Sequence, residues 1–358
     1  MRTALLLLAL TATAQAQWDL QTSNTTASLR GIHALGNGIA WASGTEGTVL
    51  HTTDNGLHWQ RCTTPPDADK LDFRGIQAFD ANTAIVMSSG KGDLSRLYKT
   101  SDACQTWTLV FTNPDPDGFW DAVVSTGSPM IISILGDPVE GRFIFRWTDD
   151  GAKTWHIERS SPTTPGEGAF AASNSSLIVD EVDGPTEFVT GSSQGAHLFV
   201  ECGNECRLPL AQFDQTDMAG FAKGDSAGVF SLAYKIADDH IGHHFVAVGG
   251  DYKKPEDSTG TAAYTVDDRT ESHWLPATTP PHGYRSAVTY DAPTKTWITV
   301  GPNGTDISTD DGRNWRPLKP SPTDAPDADQ HWNALSLPFV VGPHGRIGIL
   351  NPTALKPR

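Results

Sequence analysis

The chain has 358 residues and a formal net charge of −16, with 34 Gly, 24 Pro and 11 Trp. That charge disfavours nucleic acid and anionic membrane surfaces as partners, because phosphate binding needs a basic face. Abundant glycine and proline beside many tryptophans fit short elements, frequent turns and repeated aromatic anchors.

In chain order, Arg2, the apolar run Ala4 to Leu10 and Ala14-Gln15-Ala16 read as a secretory signal peptide over residues 1–16. The apolar run is too short to span a bilayer, and no later segment is long and apolar enough to do so. Residues 17–358 are then expected to form one domain, monomeric and exported to the periplasm or the extracellular space.

From Leu29 onward a short phrase recurs: one large apolar residue, one variable residue, then small and apolar residues. Its copies start at Leu29, Phe73, Trp120, Phe170, Phe230, Tyr284 and Trp332. They lie roughly 45–60 residues apart, the length of a propeller blade, whose sheet must stack on neighbours to bury both faces. In the first copy, strands are predicted at Gly31–Leu35, Ile39–Ser43, Thr48–Thr52 and Trp59–Cys62. The last copy has room for three strands only. Trp18–Ser23 is therefore expected to supply the fourth, closing an all-β, seven-bladed β-propeller.

A second marker runs from Thr52 to Trp59 and returns at Thr100–Trp107, Thr148–Trp155 and Ser308–Trp315. Asp54, Asp102, Asp150 and Asp310 hold the same place in each. The aspartate accepts N–H bonds inside a hairpin turn, glycine permits positive φ, and the tryptophan packs between sheets. These four aspartates are read as structural. A stretched remnant, Asp267 with Trp274, stands in the fifth copy, and in the fourth Cys202-Gly-Asn-Glu-Cys206 takes the place of the turn. Two disulfides, Cys202–Cys206 and Cys62–Cys104, suit an oxidising compartment. The spacing matches neither a zinc knuckle nor a redox Cys-x-x-Cys.

The variable residues after the anchors are Arg30, Arg74, Asp121, Ala171, Ser231, Arg285 and Asn333. By register they should ring the channel mouth on the face opposite the Asp turns. Three arginines there suit a carboxylate, a phosphate or a partner's acidic side chains, with Asp121 placed to pair with one of them. The competing reading is an internal salt-bridge ring that stiffens the channel. Loops between second and third strands add Lys91, Asp93, Arg96, Asp137, Glu140, Asp251, Tyr252, Lys253, Asn303, His344 and Arg346 to that face. Ser173–Ser176 reads as a polar turn. His240, His243 and His244 lack the companions of a metal site. The dinucleotide, phosphate-loop, nucleophile-elbow and haem motifs are absent, so neither cofactor nor metal is expected.

The Asp turns resemble the Asp-box (bacterial neuraminidase) repeats of sialidases and related propellers, where the box is a structural turn. With Phe73-Arg74-Gly75-Ile76, Tyr284-Arg285-Ser286-Ala287-Val288 and Gly301-Pro302-Asn303-Gly304, nearly the whole mature chain resembles the photosystem II stability and assembly factor propellers. That resemblance implies seven blades, an arginine-rich face, and binding of membrane-protein subunits during assembly without catalysis. A sialidase-like glycoside hydrolase is the alternative. In it the three arginines clamp a carboxylate, Tyr284 or Tyr252 attacks, and Asp121 or Asp137 assists. Leu29-Arg30-Gly31-Ile32 departs from the Arg-Ile-Pro-like segment that sialidases carry ahead of the first box. The expected function is a non-catalytic binding or assembly propeller whose arginine-lined mouth grips an acidic protein segment or a small anion.

Overall fold

A computed structural model describes residues 17–179, 186–202, 212–236, 243–267, 272–320 and 324–355. Residues 1–16, read above as a signal peptide, and Cys206, with it the Cys202–Cys206 pairing, lie outside those residues. The described strands form seven sheets of four strands each. The innermost strands are Leu29–Gly36, Phe73–Ala78, Trp120–Val124, Leu177–Val179, Ala227–Ile236, Ala287–Asp291 and Ala334–Ser336. Blade 7 takes its outer strand from Trp18–Gln21, which pairs antiparallel with Ile347–Leu350. The Trp18 indole N–H also donates to the Thr305 hydroxyl of blade 6 at 3.0 Å. This closure is the one expected from the short last repeat.

The core lies between blades, because each strand turns alternate side chains to its two neighbours. Blade 1 meets blade 2 through Trp41, Val49, Phe73, Ile76 and Tyr98. Blade 7 meets blade 1 through Phe339, Val341, Leu29, Leu50 and Trp59. Equivalent apolar layers fill every other interface. A buried aromatic contributes roughly 1.5–3 kcal/mol or more, so stability is spread around the ring.

All four Asp turns share one hydrogen-bond pattern. The first residue, Thr52, Thr100, Thr148 or Ser308, accepts the N–H four positions on, at 3.1–3.2 Å. The aspartate accepts the N–H of His58, Thr106, Thr154 or Asn314 at 2.9–3.0 Å. It also bonds that residue's side chain. Two successive residues in each turn adopt positive φ, and Cys104 and Ala152 do so where the other copies have Gly56 and Gly312. A Cβ on Gly56 would stand 2.8 Å from Phe339, which fixes glycine there. The turn tryptophans then pack on the preceding blade, as Trp59 does edge-on to Phe339 at 5.5 Å.

Bonds from the His58 backbone and ring hold the Asp54 carboxyl down at about 2. A carboxylate depressed by folding stabilises above its unfolded value near 3.9, and that contribution is lost as pH falls through the folded value. Asp54→Ala is therefore expected to lower the melting temperature at neutral pH. In paired thermal melts, the gap from wild type should close as pH approaches 2.

Candidate functional site

The site is set by where each innermost strand begins. In blades 1–3 the ladder skips one residue, from Leu29 to Gly31, Phe73 to Gly75 and Trp120 to Ala122. Such a bulge swings the extra residue out of the ladder, and it brings Arg30, Arg74 and Asp121 to the channel mouth. The anchor before it is buried, and its N–H reaches the preceding blade, as Leu29 N does to Gly342 O at 3.1 Å.

That same N–H bond corrects the register of blades 5 and 6. In blade 5 the donor is Val229, to Thr190 O at 3.2 Å, and the ladder skips Phe230. Phe230 thus holds the mouth position, while Ser231 is buried and binds the Val288 N–H and the Ser175 hydroxyl. In blade 6 the donor is Arg285, to Gly249 O at 2.9 Å, so Arg285 occupies the anchor position. It does not join the ring. Its guanidinium is fully buried and bonds Asp306, the Asn303 side chain, the Tyr284 carbonyl and His282. An arginine fits an apolar place here because every face of its fork finds a partner.

Of the expected mouth residues, Arg30, Arg74, Asp121, Asp137, Tyr252 and Asn333 come together and line one cavity of about 540 Å³. Asn303 and Asp251 do not. Asn303 is spent on Arg285 and on the carbonyls of Pro255 and His282. Asp251 braces its own loop through Ser226, the Lys253 N–H and Lys254. Of the remaining loop polar groups, Lys91 pairs with Asp117 and Arg346 with Asp327, outside this basin.

The basin has an aromatic floor. Phe170 and Phe230 stack at 3.8 Å, and Tyr284 meets Phe230 edge-on at 4.8 Å. Below it the Phe170–Ser175 segment crosses the channel. Arg74 donates to the Ala171 carbonyl of that segment at 3.3 Å. Asn174 accepts the Val123 N–H and donates to the Val123 carbonyl, both at 2.7 Å. Ser173 reaches the Ser286 carbonyl at 2.6 Å. Bonds to blades 2, 3, 5 and 6 make this segment a plug rather than a free polar turn. Sequence reading missed it, although the long interval after Phe170 was its trace.

Charge is divided between two walls. Asp72, also missed, accepts from Arg74 Nε at 2.8 Å and stands 4.0 Å from Arg30 Nε. Two guanidiniums thus share one carboxylate, leaving one positive charge with side chains about 30 % exposed. On the other wall Asp121 makes no ion pair with an arginine among the described residues, contrary to expectation; it sits beside Asp137. Burial and the Asp137 charge push the Asp121 carboxyl well above the usual carboxylate range, against the pull of Arg74. Burial raises Asp137 to about 6.

The three-arginine clamp of the glycosidase reading does not assemble, because Arg285 is buried on Asp306 away from the basin. Burial also raises the Tyr284 phenol instead of activating it as a nucleophile needs. Among the described residues, no group of three or more His, Cys, Asp or Glu is placed to hold a metal ion. A larger cavity, about 930 Å³, lies at the rim between the N-terminal strand and blade 1, away from the channel.

No protein-family model and no curated protein matches the sequence. Among solved structures, one described as YCF48 bound to D1 peptide aligns with a TM-score of 0.63 and 14% identity, covering 95% of this chain and 97% of that one. YCF48 from Cyanidioschyzon merolae aligns with a TM-score of 0.60 and 16% identity, covering 94% and 100%. These structural neighbours match the assembly-factor propellers that the blade starts resemble, and at such identity the likeness is one of fold: this chain is a seven-bladed β-propeller.

Proposed function

We propose that this chain is an exported, non-catalytic binding or assembly propeller that takes an acidic segment of a partner protein into the mouth basin. The observation that carries the reading is the pair Arg30 and Arg74 sharing Asp72 above an aromatic floor. One uncompensated positive charge asks for a carboxylate, and stacked rings ask for an apolar neighbour on the same ligand. A small anion alone would leave the floor uncovered. The D1 peptide held by a propeller of the same fold supports a protein segment as the occupant, and the Cys62–Cys104 disulfide supports an oxidising compartment.

Titration calorimetry with short peptides combining Glu and Phe tests this. Each charge-assisted contact is worth about 1.5–3 kcal/mol, so Arg30→Ala with Arg74→Ala is expected to weaken binding roughly 100-fold or more while the fold persists. Equal affinity in wild type and double variant, or no binding by wild type, would overturn the reading.

A further inference from the structure

The basin's second wall has no role in gripping an acid. Asp121 is 1% exposed, lines the cavity, and its Oδ2 has no hydrogen-bond partner among the described residues. Asp137, at the same wall, accepts only the Ala169 N–H among the described residues, at 3.1 Å. An unpaired buried carboxylate oxygen carries the full cost of its lost hydration. The fold tolerates that cost at a cavity surface, where a ligand can remove it.

We infer that the basin is a two-pole site, in which Asp121 and Asp137 receive a cationic group, an ammonium or guanidinium, of the same segment whose acid reaches Arg30 and Arg74. This rests on the segment-binding reading and narrows it: the recognised sequence carries an acid and a base flanking an apolar side chain. The geometry separates the poles, since Arg74 makes no ion pair with Asp121 and is already held by Asp72 and the plug. The other charged or titratable groups lining the basin are Arg30, Tyr252 and Tyr284, with Asp72 behind the arginines. None of them neutralises the carboxylate wall.

Burial raises both carboxyls above the usual carboxylate range, Asp137 to about 6, and the Asp137 charge raises Asp121 further. A docking cation favours the ionised pair and lowers both values. Its contribution to affinity must therefore grow as pH rises through about 6.

The probe is a set of peptides with one Glu and one Phe, each made as twins carrying Lys or norleucine at successive offsets. At one offset the Lys twin should bind wild type at least tenfold tighter than its norleucine twin, and more so at pH 8 than at pH 5. Asp121→Asn with Asp137→Asn should erase that preference and its pH dependence while still binding the norleucine twin. The single Asp137→Asn variant, and proton release by wild type in buffers of different ionisation heat, give the same readout should the double variant not fold. Norleucine twins that bind while lysine adds nothing at any offset would sink the two-pole site alone. Failure of every peptide would sink the segment reading with it.

Discussion

Arg285→Ala should lower the unfolding free energy by about 3–5 kcal/mol, the usual result of removing one partner from a buried ion pair. Arg285 and Asp306 are both essentially out of solvent, and the guanidinium makes two bonds to that carboxylate. Without it, Asp306 is left with His282, whose own ring is pulled above its ordinary value mainly by that contact. Urea unfolding measures the loss directly. Arg30→Ala, on a side chain about one-third exposed and 4.0 Å from its carboxylate, should cost no more than about 1 kcal/mol. Arg285→Met with Asp306→Leu should recover much of the stability, since a buried pair replaced by apolar groups is often neutral. Similar losses for Arg285→Ala and Arg30→Ala would refute the division between structural and mouth arginines.

Removing the Cys62–Cys104 bridge should cost about 4 kcal/mol by loop-closure entropy, given its separation of 42 residues. The bridge joins the outer edge of blade 1 to the Asp turn of blade 2, where Thr63 also donates to the Cys104 carbonyl at 2.8 Å. Cys62→Ala with Cys104→Ala, and wild type held in reductant, are expected to show the same lowered denaturation midpoint. An unchanged midpoint in both would mean that the neighbouring bonds alone fix the interface.

Blade count, ring closure and the Asp turns were legible because they follow from local periodicity and from turn chemistry that repeats. The mouth was legible only where the anchor was unambiguous. In Val229-Phe230-Ser231 two apolar residues compete for the buried place, and the aromatic one goes to the channel because Phe170 waits there to stack. In Tyr284-Arg285-Ser286 the arginine takes the core, which becomes possible only when Asp306 arrives from the third strand of the same blade and Asn303 from the loop before it. These partners stand about 20 residues away in sequence, and no pattern within one strand reveals them. Asp72 escaped for a related reason: it precedes the anchor, and its value lies in standing between arginines of two blades.

The pairing of Trp18 with Leu350 also dictates an order of events during biogenesis. A chain emerging from its N-terminus can stack early blades as they appear, yet the first strand has nowhere to dock until the final one is made. Until then the apolar faces of blades 1 and 7 stand open to other chains. Completion of the ring is a single late step, and a truncation of even the last few strands would strand both ends at once.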